Sequence, residues 1–368
     1  MKRKFHSTPF DEPTKQKLII FRKYLECWLP VFINQQSSNT WNRQINVYDF
    51  FCGPGLDSKG YKGSPLLTIE TCLKFSKQLK KQSKGICLHF SDASQGHITE
   101  LRKNLENVEL PPEITVEVSK TSFEEAFDDC QSELKNSSNL LFIDQCGIKE
   151  VNPIVFDDLI NLKSTDFIFF IASSFFGRFS KSEEFKQYLD VTEHIENVAY
   201  KDMHRKIAGF YKELIPEGQE YFLAPYSLKK GANIYGLIFG TGNLAGLDRF
   251  VKIAWNQDPD QGESNFDIDG EHLPKSGEPL NLFESNTKST KVIAFQEELR
   301  NLVLGGNFNT DSDVYKFTLE SGFYPTMHAK EVLAKLKSSG DIAIEGMLRL
   351  SSACLKSPRK IKIQPSKE

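Results

Sequence analysis

The 368-residue sequence has no Cys-x-x-Cys pair, no long uncharged apolar run and no net positive charge. Its seven cysteines, at 27, 52, 72, 87, 130, 146 and 354, stand singly and several lie inside apolar runs, which argues against a disulfide framework or a zinc site and for a reducing compartment. The seven histidines are scattered, and none pairs at i, i+4 with a useful acid, so no metal site is expected. The start, Met1-Lys2-Arg3-Lys4-Phe5, is basic, but Asp11, Glu12 and Pro13 follow where a signal peptide would be apolar. A cytoplasmic protein without a membrane span is expected. The formal net charge of −3 gives no global nucleic-acid signature, so any such contact must come from a local patch.

What is present centres on Val47-Tyr48-Asp49-Phe50-Phe51-Cys52-Gly53-Pro54-Gly55. An apolar run ends there on an acid and then on two glycines, the pattern of a first β-strand and a loop that lets a ligand approach the peptide groups. Gly53-Pro54-Gly55-Leu56-Asp57-Ser58 lacks the third glycine of the dinucleotide fingerprint. Asp49 suits a cationic amine or a hydroxyl, whereas a phosphate loop avoids a carboxylate beside its anion. That chemistry favours S-adenosylmethionine. A polar loop, 56–63, containing Lys59 and Lys62, then leads to Ser64-Pro65, read as an N-cap followed by proline in the first helical position, with the loop as either a solvated turn or a mobile cover over the ligand.

A packing helix is predicted from Pro13 to Asn34, with Leu18, Ile19, Leu25, Trp28, Leu29 and Phe32 at helical spacing. Strands are predicted at Ile86–Ser91 ending on Asp92, at Ile114–Val118, at Leu140–Ile143 before Asp144, and at Phe167–Ala172. Helices are expected at Gln95–Asn107, from Phe123, at Glu183–Leu189 and at Met203–Leu214. Two strands, Tyr221–Tyr226 and Ile234–Gly240, read as a closing antiparallel pair. This alternation indicates an α/β fold with a mainly parallel sheet, whose ligands lie beyond the carboxyl ends of the strands. Asp49, Asp92, Ser122 and Asp144 all fall at such ends. Asp92 suits either ribose hydroxyls or a helix cap. Asp144 suits a general base or an acceptor of hydrogen bonds from the methyl acceptor, or a turn cap. Cys146 reads as a buried thiol or a nucleophile. Arg178, among Phe175, Phe176 and Phe179, suits a phosphate or base clamp, or a loop ion pair.

Residues 1–257 are expected to form the Rossmann-like domain, 258–290 a linker or long loop, and 291–368 a winged-helix-like domain with a basic tail. The last comprises helices at Val292–Leu304, Asp311–Glu320 and Pro325–Leu336 and a ribbon at Ile342–Leu350. Its Lys330, Lys335, Lys337, Arg359 and Lys360, with His328, make the candidate nucleic-acid face.

Asp49-Phe50-Phe51-Cys52-Gly53-Pro54-Gly55 with Gly63-Ser64-Pro65, Phe142-Ile143-Asp144-Gln145-Cys146-Gly147, Gly231 through Thr241, and Ala245-Gly246-Leu247 through Trp255 resemble the three-Cys-motif partner family, often called TcmP. The first motif is also similar to that of class I S-adenosylmethionine-dependent methyltransferases. The resemblance implies a Rossmann-like class I sheet that takes S-adenosyl-L-methionine through Asp49, Phe51, Gly53 and Gly55, with Asp92 as the acid after the second strand, Ser122 contacting adenine and Asp144 opening the catalytic motif; the residues themselves add Pro54, Ser64 and Phe123 as cofactor candidates and Arg178 as a catalytic one. It also implies a partner protein with a three-cysteine motif. Gln145 and Cys146 stand where the family has proline and an aromatic residue, and Thr121-Ser122 where it has an acid. Two roles remain open: a methyltransferase acting on nucleic acid or a protein-bound substrate, and a cofactor-binding interaction subunit without turnover.

Overall fold

The computed structural model describes residues 8–35, 44–145, 149–179, 191, 194, 196, 198–271 and 288–364. They fall into two compact units that divide between Gly242 and Asn243.

The first unit begins with α1 (Glu12–Ile33), whose N-cap Asp11 accepts the Thr14 N–H. The elements that follow are β1 (Ile45–Asp49), α2 (Ser64–Leu73), α3 (Ser76–Gln82), β2 (Ile86–Asp92), α4 (Gln95–Leu105), β3 (Ile114–Lys120), α5 (Phe123–Leu134), β4 (Ser138–Ile143), α6 (Pro153–Asn161), β5 (Thr165–Ile171), α7 (Ser174–Phe179), α8 (Met203–Glu213), β6 (Phe222–Lys230) and β7 (Asn233–Thr241). The sheet order is β3-β2-β1-β4-β5-β7-β6. The first five strands run parallel, and β7 runs antiparallel to both neighbours. This is a Rossmann-like sheet of the class I methyltransferase type, and the two late strands form its reversed edge. Every residue of β1 and of β4 is buried, as strands covered on both faces require. On one face Phe21 of α1 stacks on Phe142 at 4.2 Å and Tyr24 packs on Phe239. On the other, α5, α6 and α8 enclose Phe156, Phe167, Phe169 and Tyr211.

The second unit holds α9 (Leu244–Gln257), α10 (Thr290–Leu304), α11 (Asp311–Glu320), α12 (Ala329–Ser339), β8 (Ile342–Ile344), α13 (Ala353–Lys356) and β9 (Ile361–Ile363), in winged-helix order. Trp255 explains why α9 groups here and not with the sheet, where a boundary after 257 had placed it. Its ring stacks on Phe323, packs on His328 at 4.1 Å, and donates Nε1–H to Gly322 O at 2.9 Å. The stretch after it, expected as a linker, is locally ordered through residue 271. Asp258 accepts the N–H groups of Asp260, Gln261, Glu263 and Ser264, and a Cβ at Gly262 would meet the Trp255 ring at 2.3 Å.

The continuous ribbon expected over 342–350 is shorter than that: β8 pairs with β9, and α13 lies between them. Buried Asp311 fixes this arrangement by accepting the N–H groups of Arg349 and Arg359. The proposed helix 183–189 lies outside the described residues.

Candidate functional site

The parallel register sets Asp49, the last residue of β1, opposite Phe90 of β2 and Phe142 of β4. Asp92 and Asp144 therefore follow two residues further along the flanking strands, and three carboxylates gather where the central strands end. Asp49 is fully buried. One of its oxygens, Oδ1, accepts the Phe51 N–H at 3.3 Å, whereas Oδ2 has no hydrogen-bond partner. Burial is the main force that pushes its pKa up to about 7. The Ser64 hydroxyl opposes that shift, the Asp144 charge adds to it, the Phe51 N–H opposes it, and the Asp92 charge adds a little more.

The loop beyond β1 turns through Gly53 at φ +60° and Gly55 at φ +84°, a region that side chains resist. A Cβ on Gly55 would also lie 2.8 Å from Leu101 Cδ1 of α4. The loop is held from three sides. Asp92 Oδ2 accepts the Gly53 N–H at 3.1 Å, Asn104 Nδ2 donates to Pro54 O at 2.8 Å, and the Gly63 N–H donates to Gly55 O at 2.7 Å. The expected cover, residues 56–63, is a closed turn around Asp57, which accepts the N–H groups of Phe10, Lys59 and Tyr61. Lys62 pairs with Glu70, and Lys15 lies over the Tyr61 ring. Ser64 is the first residue of α2 and Gly63 its N-cap, one position from the predicted start, and no side chain caps this end. What Ser64 does instead is lie buried next to the Asp49 carboxyl.

Asp92 is engaged at the head of the next helix. It accepts the Ser94 N–H at 2.7 Å at the head of α4, and His97 Nδ1 lies 3.1 Å from both of its oxygens. A carboxylate offers about four acceptor positions, so a ribose diol would have to share Asp92 with His97 or displace it. Ser122 caps α5 in a capping box with Glu125 that engages both its N–H and its hydroxyl. Phe123 is buried between Phe127 and the half-buried Phe51. Both lie next to the glycine loop, with Ser122 already engaged within its own helix.

On the acceptor side the geometry differs from the sequence reading. Asp144 is ion-paired: Lys17 Nζ of α1 is 2.5 Å from its Oδ2 and 4.5 Å above the Phe170 ring. Lys17 Nζ thus occupies Asp144 Oδ2. Lys17 is absent from the predicted residues, although a signal existed. Lys17, Phe21, Tyr24 and Trp28 recur at helical spacing and are all buried, so a lysine stood on the apolar stripe. Gln145 is fully buried. Its Oε1 accepts the Glu150 N–H at 3.1 Å, which assigns the amide, and leaves Nε2 without a partner. Arg178 donates Nη2–H to Asn233 Oδ1 at 2.9 Å and lies 5.3 Å from the Phe175 ring, across the β5–β7 edge. Cys146 and Gly147 lie outside the described residues.

The basic face of the second unit is smaller than its composition promises. Lys335 pairs with Glu331 and Lys362 with Glu345. His328 is buried, and burial pushes its pKa down to about 4, so it adds no charge near neutrality. The Arg359 stem packs towards Gly346 with Nε buried. Lys330, Lys337 and Lys360 remain exposed.

Residues 267–347 match the GMT-like wHTH domain family, so that family begins inside the stretch expected as a linker. No curated protein matches the chain. Similar solved structures include Trm1 from Pyrococcus horikoshii in complex with S-adenosyl-L-methionine (10% identity, 64% of this chain and 58% of that one, TM-score 0.36). A SAM-dependent methyltransferase from Agrobacterium tumefaciens matches at 10% identity over 62% of each chain, with a TM-score of 0.35. An O-methyltransferase from Bacillus cereus in complex with SAH matches at 15% identity over 63% of this chain and 91% of that one, with a TM-score of 0.33. The chain thus spans less than two thirds of the length of the first two. Among the described residues no helix is long and apolar enough to cross a membrane.

Proposed function

We propose that the first unit binds S-adenosyl-L-methionine at the carboxyl end of β1 and serves methyl transfer. The carrying observation is Asp49 Oδ2, a buried carboxylate oxygen without a donor beside a loop whose glycines expose their peptide groups. An unpaired buried acceptor costs roughly 1–3 kcal/mol, and a cationic amine satisfies both its hydrogen bond and its charge. A phosphate there would face three carboxylates, which disfavours a dinucleotide. Gly53, Pro54 and Gly55 would supply the close backbone, Asp92 the ribose acceptor once His97 yields, and Phe51 and Phe123 an apolar wall. Bound there, the cofactor would supply an electrophilic methyl group.

The chain's own residues then define the acceptor side. Lys17 pairs with Asp144, Gln145 offers an unpaired N–H, and Arg178 is anchored to Asn233. The exposed Lys330, Lys337 and Lys360 of the winged-helix unit give it a local basic surface for RNA or DNA. The Lys17–Asp144 pair also favours a second reading, a cofactor-binding subunit that turns over only with a partner carrying a three-cysteine motif. Calorimetry with S-adenosylmethionine, S-adenosylhomocysteine and NAD tests the first step, and saturable binding of NAD alone refutes it. Labelled methyl transfer to total RNA or DNA, with and without a protein encoded next to this one, separates the two readings. Transfer that persists in Asp144→Ala removes Asp144 from the mechanism.

A further inference from the structure

A second polar cluster lies near the start of β2, at the other end of that strand from Asp92. β2 puts Cys87 and His89 on one face, and the register with β3 sets Glu117 directly opposite His89. One ligand atom from each residue (the Cys87 sulfur, a His89 ring nitrogen and a Glu117 carboxylate oxygen) lies within 4.8 Å of the others. His89 Nδ1 is 3.1 Å from Glu117 Oε2. Two ligands each about 2.0–2.2 Å from one zinc ion at near-tetrahedral angles are separated by roughly that distance.

The surroundings are short of positive charge and of donors. Asn46 Nδ2 and Tyr48 OH of β1 both donate to Glu133 of α5, yet Asn46 Oδ1 is buried without a partner. The His89 ring stacks on Tyr48 at 4.3 Å, which fixes its plane, and its Nε2 is likewise buried and unpartnered. Because Nδ1 faces a carboxylate, the neutral ring keeps its proton on Nδ1 and Nε2 is a bare lone pair. Two unpaired buried acceptors, two carboxylates and a thiol therefore share one stripe.

We propose that Cys87, His89 and Glu117 form a site for a borderline-soft divalent cation of the zinc class, with water completing the shell on the exposed Glu117 side. On binding, the Cys87 thiol gives its proton to solvent and binds as thiolate. The imidazole proton passes from Nδ1 to Nε2, where it becomes a donor in a stripe whose other donors are already engaged. Cys87 is buried and Glu117 exposed, so the ion has an entry path from one side. The sequence hid this site because its third ligand joins the Cys-x-His pair only through strand register.

The test uses the full chain, reduced, stripped with a chelator and exchanged into chelator-free buffer, then titrated with Co2+. The expected result is a near-ultraviolet thiolate-to-cobalt band with intense visible bands of four-coordinate cobalt, both displaced by Zn2+. Cys87→Ser abolishes the near-ultraviolet band, and His89→Gln and Glu117→Gln each weaken binding by about tenfold or more. Zinc also raises the melting temperature of the wild type and leaves that of Cys87→Ser unchanged. No cobalt band in the folded wild type, or the same band in Cys87→Ser, overturns the proposal. Glu117 is exposed, so Glu117→Gln keeps the fold, and wild-type affinity in that variant counts equally against it.

Discussion

Asp49→Asn separates the cost of the cofactor pocket from its use. Burial holds the Asp49 carboxyl at about 7 against an ordinary value of 3.8, so ionising it in the free protein is unfavourable. Because the folded value lies above the unfolded one, its contribution to stability is complete below about pH 4 and is lost as pH rises through about 7. A shift of about three units, at about 1.4 kcal/mol each, is roughly 4 kcal/mol at pH 8. Asparagine removes the charge but still leaves a buried polar atom unpaired, which offsets about 1–3 kcal/mol. Cofactor-free Asp49→Asn should therefore be about 1–3 kcal/mol more stable than the wild type at pH 8 and about 1–3 kcal/mol less stable near pH 4, by denaturant unfolding. Binding should move the other way. The cationic amine needs the ionised carboxylate, so wild-type affinity for S-adenosylmethionine should fall about tenfold per unit below pH 7. Near pH 6 about one proton should leave on binding, read from the dependence of calorimetric heat on buffer ionisation enthalpy. A dissociation constant flat between pH 5.5 and 7.5, or an Asp49→Asn protein less stable at pH 8, refutes the assignment of Asp49 as the buried anion of the pocket.

Three further outcomes follow from the same geometry. Gly55→Ala must hold φ near +84° and press its Cβ on Leu101, so cofactor binding should be lost at a stability cost of roughly 1–3 kcal/mol, seen by calorimetry and by unfolding; wild-type affinity would remove the loop from the site. Asp311→Ala removes the buried acceptor of the Arg349 and Arg359 N–H groups and should cost roughly 1–3 kcal/mol, with raised hydrogen exchange around β8 and β9 while β1 to β5 stay protected. His328 is held neutral below its ordinary 6.5, at about 4, so its contribution is present above pH 6.5 and is lost as pH falls towards 4, by up to about 3 kcal/mol; His328→Asn, which keeps an acceptor for the Tyr324 N–H, should flatten that dependence.

The sheet was legible because its strands obey local rules. Leu140–Ile143 is an apolar run covered on both faces, and Asp49, Asp92 and Asp144 each follow such a run, so their meeting at one edge needed only parallel order. The boundary after 257 misled because α9 is amphipathic in either unit, and only the stack of Trp255 on Phe323 and His328 decides which one it joins. The ribbon was read too long because Ile342 to Leu350 alternates, whereas the partner of β8 lies beyond α13 and is fixed by the buried Asp311. His328 looked like part of a basic surface by type alone, and its tertiary environment removes the charge.

The acceptor side shows the limit most clearly, because its controlling contact crosses from the first helix to the fourth strand. Asp49, Asp92 and Asp144 are close enough for Asp92 and Asp144 both to raise the Asp49 pKa, and Lys17 is a buried cation set against this group. Removing Lys17 therefore does two things at once. It frees Asp144 Oδ2, and it leaves Asp144, one of the two carboxylates whose charge raises the Asp49 pKa, without its paired cation. α1 therefore does more than cover the sheet, since the helix that packs Phe21 on Phe142 also brings a buried cation to Asp144 at the strand ends.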